Sequence, residues 1–436
     1  MARKATMPMI LALLATTLGF AILLLGQEGG LASPPFVYGG AYAGMMLGVY
    51  LIVRLWLPYA DALLIPVITM LTGVGLLMIY RLTFDSQRGT QLATTQVVWI
   101  AVGCGALLGT IFLFRNYHRL LNYKYLLALA AFALIASVST PLGYEVNGAR
   151  LWVAIGPINF QPSEFARIAL VIFFAGYLAE KREVMAATSN SFLGIPLPRI
   201  KYFGPVAAVW AASLGLLVFE KDLGSSLLFF LVPLLMLYIA TGTIAYILLG
   251  GLFLAAGSVI SYFMFGHVQV RVSAWLDPWA NPDTDGYQIL QSIFAISEGG
   301  VAGTGLGNGL AGRIPEVQTD FIFSAIASEL GMLGGTAVLL AFLVFVYRGF
   351  KIALYAPDNG SKMLAGGLTI MFALQTFIIV AGVTKLIPLT GITLPFVSYG
   401  GSSVVGNLIL AGFLLVISEK AGRRMALGEE PEDARP

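Results

Sequence analysis

Three carboxylates stand where apolar stretches begin. Glu164 lies in Phe160-Gln161-Pro162-Ser163-Glu164-Phe165, Asp222 in Glu220-Lys221-Asp222-Leu223-Gly224, and Asp320 in Gln318-Thr319-Asp320-Phe321. An ionised side chain deep in hydrocarbon costs roughly 2.5–3.5 kcal/mol or more, so such a group usually faces a cavity or a partner. Four cations share the same boundary: Arg150, Arg167, Arg271 and Lys385. Arg167 follows Glu164 by one helical turn, close enough to pair with it. Carboxylates among cations at a membrane surface suit an anionic lipid headgroup. Two plainer readings stand beside that one. Ser163 and Asp222 are good helix N-caps, and an acid in a first turn complements the helix dipole. Alternatively, the charges pair internally and tie helices together.

Other chemistry is weakly represented. Two histidines, His118 and His267, and one cysteine, Cys104, exclude a three-histidine zinc site and any internal disulfide. The stretch Gly307-Asn308-Gly309-Leu310-Ala311-Gly312 has GxGxxG spacing, but it follows no strand and opens no βαβ unit, so it is read as coincidence. Asp283-Thr284-Asp285 resembles a sugar-nucleotide DxD, yet it lies on the side of the membrane without nucleotides. In Leu394-Pro395-Phe396-Val397-Ser398-Tyr399-Gly400-Gly401-Ser402-Ser403, Pro and paired Gly loosen the start of a span, and serine hydroxyls can satisfy the freed backbone. Close helix packing through small residues explains the same stretch equally well.

The elements that must hold these residues are membrane spans. Of 436 residues, 58% are hydrophobic and 11% charged, and mean hydropathy is +0.86. A soluble globule of this size leaves too much surface wet to hide that content. About 20 apolar residues cross a bilayer, and twelve stretches qualify: 8–25, 37–57, 61–80, 93–114, 123–139, 163–180, 202–219, 223–240, 244–264, 319–347, 362–386 and 396–418. The first is read as a retained span, since its apolar run is longer than that of a signal peptide. With both termini cytoplasmic, 17 of the 25 Lys and Arg residues fall inside, as the positive-inside rule requires. The net charge of +3 makes no nucleic-acid surface. Two outer segments, 140–162 and 265–318, are long enough to be functional. The tail after Lys420 is charged and reads as unstructured. No internal repeat supports an inverted-repeat transporter.

Taken together and in order, several blocks resemble the SEDS family, the RodA/FtsW/SpoVE-type peptidoglycan polymerases. They are Asn147–Trp152, Phe160–Phe165, Asp222-Leu223-Gly224, Gly286-Tyr287-Gln288 with Gln291-Ser292, Pro315-Glu316 with Thr319–Phe323, Glu329-Leu330-Gly331, and Leu394–Ser403. Lys221, Gln318, Arg167 and Ser328 depart from the common pattern at their positions. The resemblance implies an all-α polytopic fold with a ten-helix core over 61–418, a two-helix extension over 1–60, a large outer loop over 265–318 between the ninth and tenth spans, and a cytoplasmic tail over 419–436. It implies a multi-pass protein of the bacterial cytoplasmic membrane that joins lipid II units into β-1,4 glycan, with inversion at the donor anomeric carbon. By residue-for-residue transfer Asp320 is the base. Arg150, Arg167, Arg271 and Lys385 become candidates for the pyrophosphate, with Glu164 orienting Arg167. Asp222, Ser398 and Ser402 join the candidate substrate-binding residues. A divalent cation, Mg²⁺ or Mn²⁺, is compatible with oxygen-rich surroundings, and a class B penicillin-binding protein is the implied partner. Elongation, division and sporulation are all open. Two rival readings are a lipid II flippase and a non-catalytic scaffold. Charges at the outer boundary rather than the midplane weigh against transport.

Overall fold

The computed structural model describes residues 6–25, 34–83, 91–146, 149–156, 158–187, 189–192, 195–198, 200–219 and 222–428. Asn147, Gly148, Glu220 and Lys221, named above, lie outside the described residues, as do Met1–Lys4. In chain order the elements are α1 (Thr6–Leu25), α2 (Pro34–Trp56), α3 (Leu64–Leu82), α4 (Gln91–Leu113), α5 (His118–Asn122) and α6 (Lys124–Ser137). Three strands follow, β1 (Gly143–Val146), β2 (Ala149–Ile155) and β3 (Ile158–Phe160). Then come α7 (Pro162–Ala187), β4 (Ser189–Phe192), β5 (Ile195–Pro198), α8 (Ile200–Phe219), α9 (Leu223–Thr241) and α10 (Ile244–Met264). The chain continues with α11 (Gly266–Leu276), α12 (Tyr287–Gly299), α13 (Ile322–Tyr355), α14 (Asn359–Val383) and α15 (Gly401–Leu427).

A helix stands at each of the twelve predicted stretches. Among the described residues, ten are long and apolar enough to cross a membrane, while α6, at 14 residues, is shorter than a span. A helix closes its own backbone hydrogen bonds, which hydrocarbon demands of any lipid-exposed segment. Two compact units divide the chain: Met1–Phe112, Val270–Arg348 and Gln375–Arg423 form one, and Leu113–Gln269, Gly349–Leu374 and Arg424–Pro436 the other.

In the first unit α1 lies on α3 through small residues. A Cβ at Gly73 would meet Thr16, and one at Gly19 would meet Leu77. The Tyr42 hydroxyl of α2 bonds with Thr72 Oγ1 at 2.6 Å. The 57–63 connection docks on the far end of α15, where the Tyr59 N–H donates to Glu419 Oε2 and the Asp61 N–H to Ser418 Oγ. Asp61 also pairs with Arg348. In the second unit α7 packs on α6 and α9. Asp222 caps α9, and the helix ends at Gly242 in the left-handed region (φ 69°).

The structure differs from the sequence expectation in the antiparallel β4–β5 pair, which an all-α chain does not foresee, and at four further places. The 140–162 segment, expected as a loop in an all-α chain, forms an antiparallel sheet of order β1-β2-β3, with Tyr144 opposite Trp152 and Val153 opposite Phe160. Its strands are too short to show a period of two against the surrounding polar residues. The 265–318 segment contains α11 and α12 and a 3-10 turn at Leu310–Arg313. Helix α7 opens at Pro162, so Ser163 lies inside its first turn rather than at its cap; proline suits that opening position. Finally, α15 runs on to Leu427, so the start of the supposed tail is helical.

Candidate active site

Asp320 is carried on a tight turn that leads into α13. The turn starts at Glu316, whose backbone is left-handed (φ 51°) and whose carbonyl accepts from the N–H of Thr319 at 3.0 Å and from the Thr319 hydroxyl at 2.8 Å. A second segment, 394–400, clamps this turn from the side. The Tyr399 N–H donates to the Gln318 carbonyl at 2.8 Å, and the buried Ser398 hydroxyl donates to the Thr319 carbonyl. Ser398 Oγ also accepts from the Leu394 N–H at 2.8 Å. Its proton therefore goes to the residue next to Asp320. The clamp is itself fixed, because Gly75 of α3 and Gly401 of α15 let it approach: a Cβ at Gly75 would stand 2.4 Å from the Val397 carbonyl, and one at Gly401 2.2 Å from the Trp99 ring. Ser402 is buried in the first turn of α15, beside Ser403, whose hydroxyl bonds with Thr393 at 2.7 Å.

Helix α11 braces the segment on the other side. Arg271 and Trp275 sit one turn apart on one helix face. Arg271 Nη1 donates to the Leu389 carbonyl at 2.9 Å, and the Trp275 indole N–H donates to the Lys385 carbonyl at 3.1 Å. Lys385 is left-handed (φ 61°), just past α14. Arg271 and Asp320 converge: a Cβ at Gly391 would lie 3.5 Å from Arg271 Nη1 and 3.6 Å from Asp320 Oδ2. Among the described non-glycine residues only Glu316, Lys385 and Phe396 have positive φ; they lie in the Asp320 turn, just past α14 and in the clamping segment. Such backbone cost persists where surrounding structure over-determines the conformation, and it gathers at functional sites.

The second unit brings together the remaining acids. Glu164 and Arg167 pair across one turn of α7, both buried. Asp222 uses one oxygen as a cap, Oδ1 accepting from the Ser225 N–H at 2.9 Å. Its Oδ2 is buried with no hydrogen-bond partner, and it adds to the field at Arg167. So Asp222 is both a cap and a buried charge near a cation. Arg167 borders an apolar crevice lined by Leu170, Val171, Phe174, Leu228, Phe229 and Val232. Arg150 lies elsewhere in this unit, on β2, where its guanidinium donates to the carbonyls of Gly143 (2.8 Å) and Thr140 (2.9 Å) and ties β2 to the stretch that joins α6 to β1. Among the described residues no three His, Cys, Asp or Glu side chains come together in a way that could hold a metal ion.

Sequence reasoning did not bring Arg81 and Glu329 together. Arg81 of α3 and Glu329 of α13 form a buried ion pair, Nε to Oε1 at 2.7 Å. Both also grip the glycine-rich segment 299–312: Arg81 Nη2 donates to the carbonyls of Gly307 and Gly309, and Glu329 Oε2 accepts from the Gly307 N–H at 3.0 Å. The GxGxxG spacing thus serves packing. The Thr304 and Gly305 N–H groups donate to the Ser328 and Glu329 carbonyls, beside Gly331, where α13 is broken (φ 67°, ψ −170°). The signals in the sequence were an acid, Glu329, in an apolar run and its place in the Glu329-Leu330-Gly331 block.

The family model covering FtsW, RodA and SpoVE, described as cell cycle protein, matches residues 61–423. The chain is 39% identical over 437 aligned positions to the peptidoglycan glycosyltransferase RodA of Mycobacterium tuberculosis H37Rv, covering 98% of this chain and 93% of that protein. It is 33% identical to the stage V sporulation protein E of Bacillus subtilis strain 168, over 82% of this chain and 96% of the relative. A chain solved in work on how a peptidoglycan synthase complex coordinates polymerization and crosslinking superposes with a TM-score of 0.66 at 26% identity, over 83% of this chain and 98% of that one. The Thermus thermophilus rod shape determining protein RodA shares the fold, with a TM-score of 0.58 at 24% identity over 82% and 96% of the two chains. Ten membrane-length helices among the described residues, the ordered motifs and these likenesses lead to one conclusion: the chain belongs to the FtsW/RodA/SpoVE cell cycle protein family.

Proposed function

We propose that this chain polymerises lipid II at the outer face of the cytoplasmic membrane, with Asp320 as the base. The chain is a peptidoglycan glycosyltransferase of cell-wall synthesis and a multi-pass membrane protein. The donor sugar is already activated on a polyprenyl pyrophosphate, so no nucleotide is consumed. The 4-hydroxyl oxygen of the acceptor forms a bond to the donor anomeric carbon, the bond from that carbon to the pyrophosphate oxygen breaks, and Asp320 takes the hydroxyl proton. Attack opposite the leaving group inverts the α-linked donor to a β-1,4 link. A single base and charge stabilisation suffice for such a displacement.

The observation that carries this reading is the held turn at Asp320, fixed by Ser398 and Tyr399 of one clamping segment, with Arg271 and Asp320 both beside Gly391. Arg150, Arg167 and Lys385 remain candidates for the pyrophosphate, and the apolar crevice beside Arg167 has the chemistry of a site for an isoprenoid chain. Lys and Arg distribution supports cytoplasmic termini. A divalent cation would draw most of its oxygen ligands from the pyrophosphate. A class B penicillin-binding protein, which cross-links glycan, is the partner that fits the product. Residues 1–60 add two helices ahead of the core that starts at 61.

Asp320→Asn in purified protein, assayed for glycan chains from lipid II, tests the base directly. General-base loss predicts a rate lower by about 10²–10⁴-fold with folding unchanged. Undiminished polymer would remove Asp320 from the role. Liposomes carrying labelled lipid II separate the flippase reading: a flippase would exchange leaflets without making polymer.

A further inference from the structure

Gly391 adopts φ +73°, and the nearest atoms to a Cβ built on it, its chain neighbours aside, are Arg271 Nη1 and Nη2 (3.5 and 3.6 Å) and Asp320 Oδ2 (3.6 Å). A guanidinium and a carboxylate therefore flank one bare α-carbon. Arg271 can hold its place there without Asp320, because its Nη1 is also fixed on the Leu389 carbonyl. A ligand group that meets both walls at once must donate a proton to the carboxylate and accept a hydrogen bond from the guanidinium. A hydroxyl does both. A phosphate oxygen accepts only, and would be repelled by Asp320.

We propose that Gly391 is a positioning residue for glycan transfer, its bare α-carbon letting one sugar hydroxyl of the acceptor touch Arg271 and Asp320 together. The inference rests on the reading of Asp320 as the base. It assigns Arg271 to the acceptor hydroxyl rather than to the leaving pyrophosphate. As the proton passes from the hydroxyl to Asp320, negative charge grows on an oxygen that the guanidinium already faces, which is where a fixed cation stabilises the transition state most. A side chain at 391 would stand in contact with both walls and cover them.

Two consequences of substitution pull in opposite directions. At positive φ alanine is strained, whereas asparagine tolerates the left-handed region. Asparagine, however, fills more of the space over the two walls. If Gly391 matters only for its backbone, Gly391→Asn is more active than Gly391→Ala. If it matters for access, the order reverses. The experiment measures kcat and KM for lipid II polymerisation with the purified full chain, after thermal unfolding has established that each variant is folded. The expected result is a fall of about 100-fold in kcat for Gly391→Ala, a deeper fall for Gly391→Asn, and smaller changes in KM. Gly242→Ala is the strain control: its φ is 69° and nothing lies within 4 Å of its Cβ position, so it should keep activity within about twofold. An Asn variant more active than the Ala variant, or two folded variants with wild-type kcat, would overturn the proposal. Should the Asn variant fail to fold, Gly391→Ala is repeated in an Arg271→Lys background. A smaller cost there supports the proposal, and an equal cost overturns it. Failure of the underlying reading looks different, because Asp320→Asn would then stay active whatever residue 391 is.

Discussion

Asp222 shows how one side chain can answer to two readings. Its Oδ1 caps α9 and its Oδ2 is buried without a hydrogen bond near Arg167. Asparagine caps as well as aspartate, and alanine does not, at a cost of about 1 kcal/mol. Asp222→Ala should therefore lower the thermal midpoint, while Asp222→Asn should hold it near the wild-type value and lose only the charge beside Arg167. Comparing lipid II turnover of the two variants separates the cap from the charge: if the Asn variant keeps full turnover, the carboxylate serves structure alone. The capping half of this was legible in the sequence, since Asp222 precedes a clean apolar run. The same holds for the Glu164–Arg167 pair, which needs only helical spacing. What Ser398 does was not legible. Its hydroxyl reaches Thr319, 79 residues away, and no local pattern announces a contact made through tertiary structure.

At the scale of elements, the broken α13 and the glycine-rich segment form one device. Gly331 breaks the helix, and a Cβ there would stand 2.3 Å from the Gly303 nitrogen. The Arg81–Glu329 pair latches the segment to this break, from both of its charged ends. Removing one partner of a buried pair leaves a charge without its counterion, which costs about 3–5 kcal/mol. Glu329→Gln should thus lower the thermal midpoint sharply and open residues 299–312 to protease. Arg81→Met with Glu329→Leu should recover much of the stability, because it removes both charges. Recovery failing, with the loop still open to cleavage, would show that the polar grip on the glycine carbonyls matters more than the ion pair. The spans were readable as elements because an apolar run of about 20 residues has few other uses. Helices α11 and α12 were not, because they are short and mixed in composition, and the strands at 143–160 were hidden for the same reason.

For the whole molecule, the boundary at residue 61 is one of family likeness and not of structure. Helices α1 and α2 pack on α3 through Thr16–Gly73, Gly19–Leu77 and Tyr42–Thr72, and the 57–63 connection is pinned to α15 and Arg348. Between helices in lipid, such close packing and hydrogen bonding drive association. Deleting 1–60 removes two spans, so the sidedness of the rest is kept, but the apparent Tm in detergent should fall by more than about 5 °C. An unchanged Tm would mark the first two helices as an independent appendage. The left-handed residue that opens the Asp320 turn carries a different consequence, for breeding the protein toward heat tolerance. Glu316 is exposed, and only a hydrogen bond from the Gln318 amide to its carboxylate is set against its φ of 51°, so a survival screen at raised temperature should enrich Glu316→Gly, which relieves under about 1 kcal/mol. The survivors should melt later and polymerise more slowly, since the hinge that aims the carboxylate has been loosened. Robustness and speed are set against each other at that one corner of the chain.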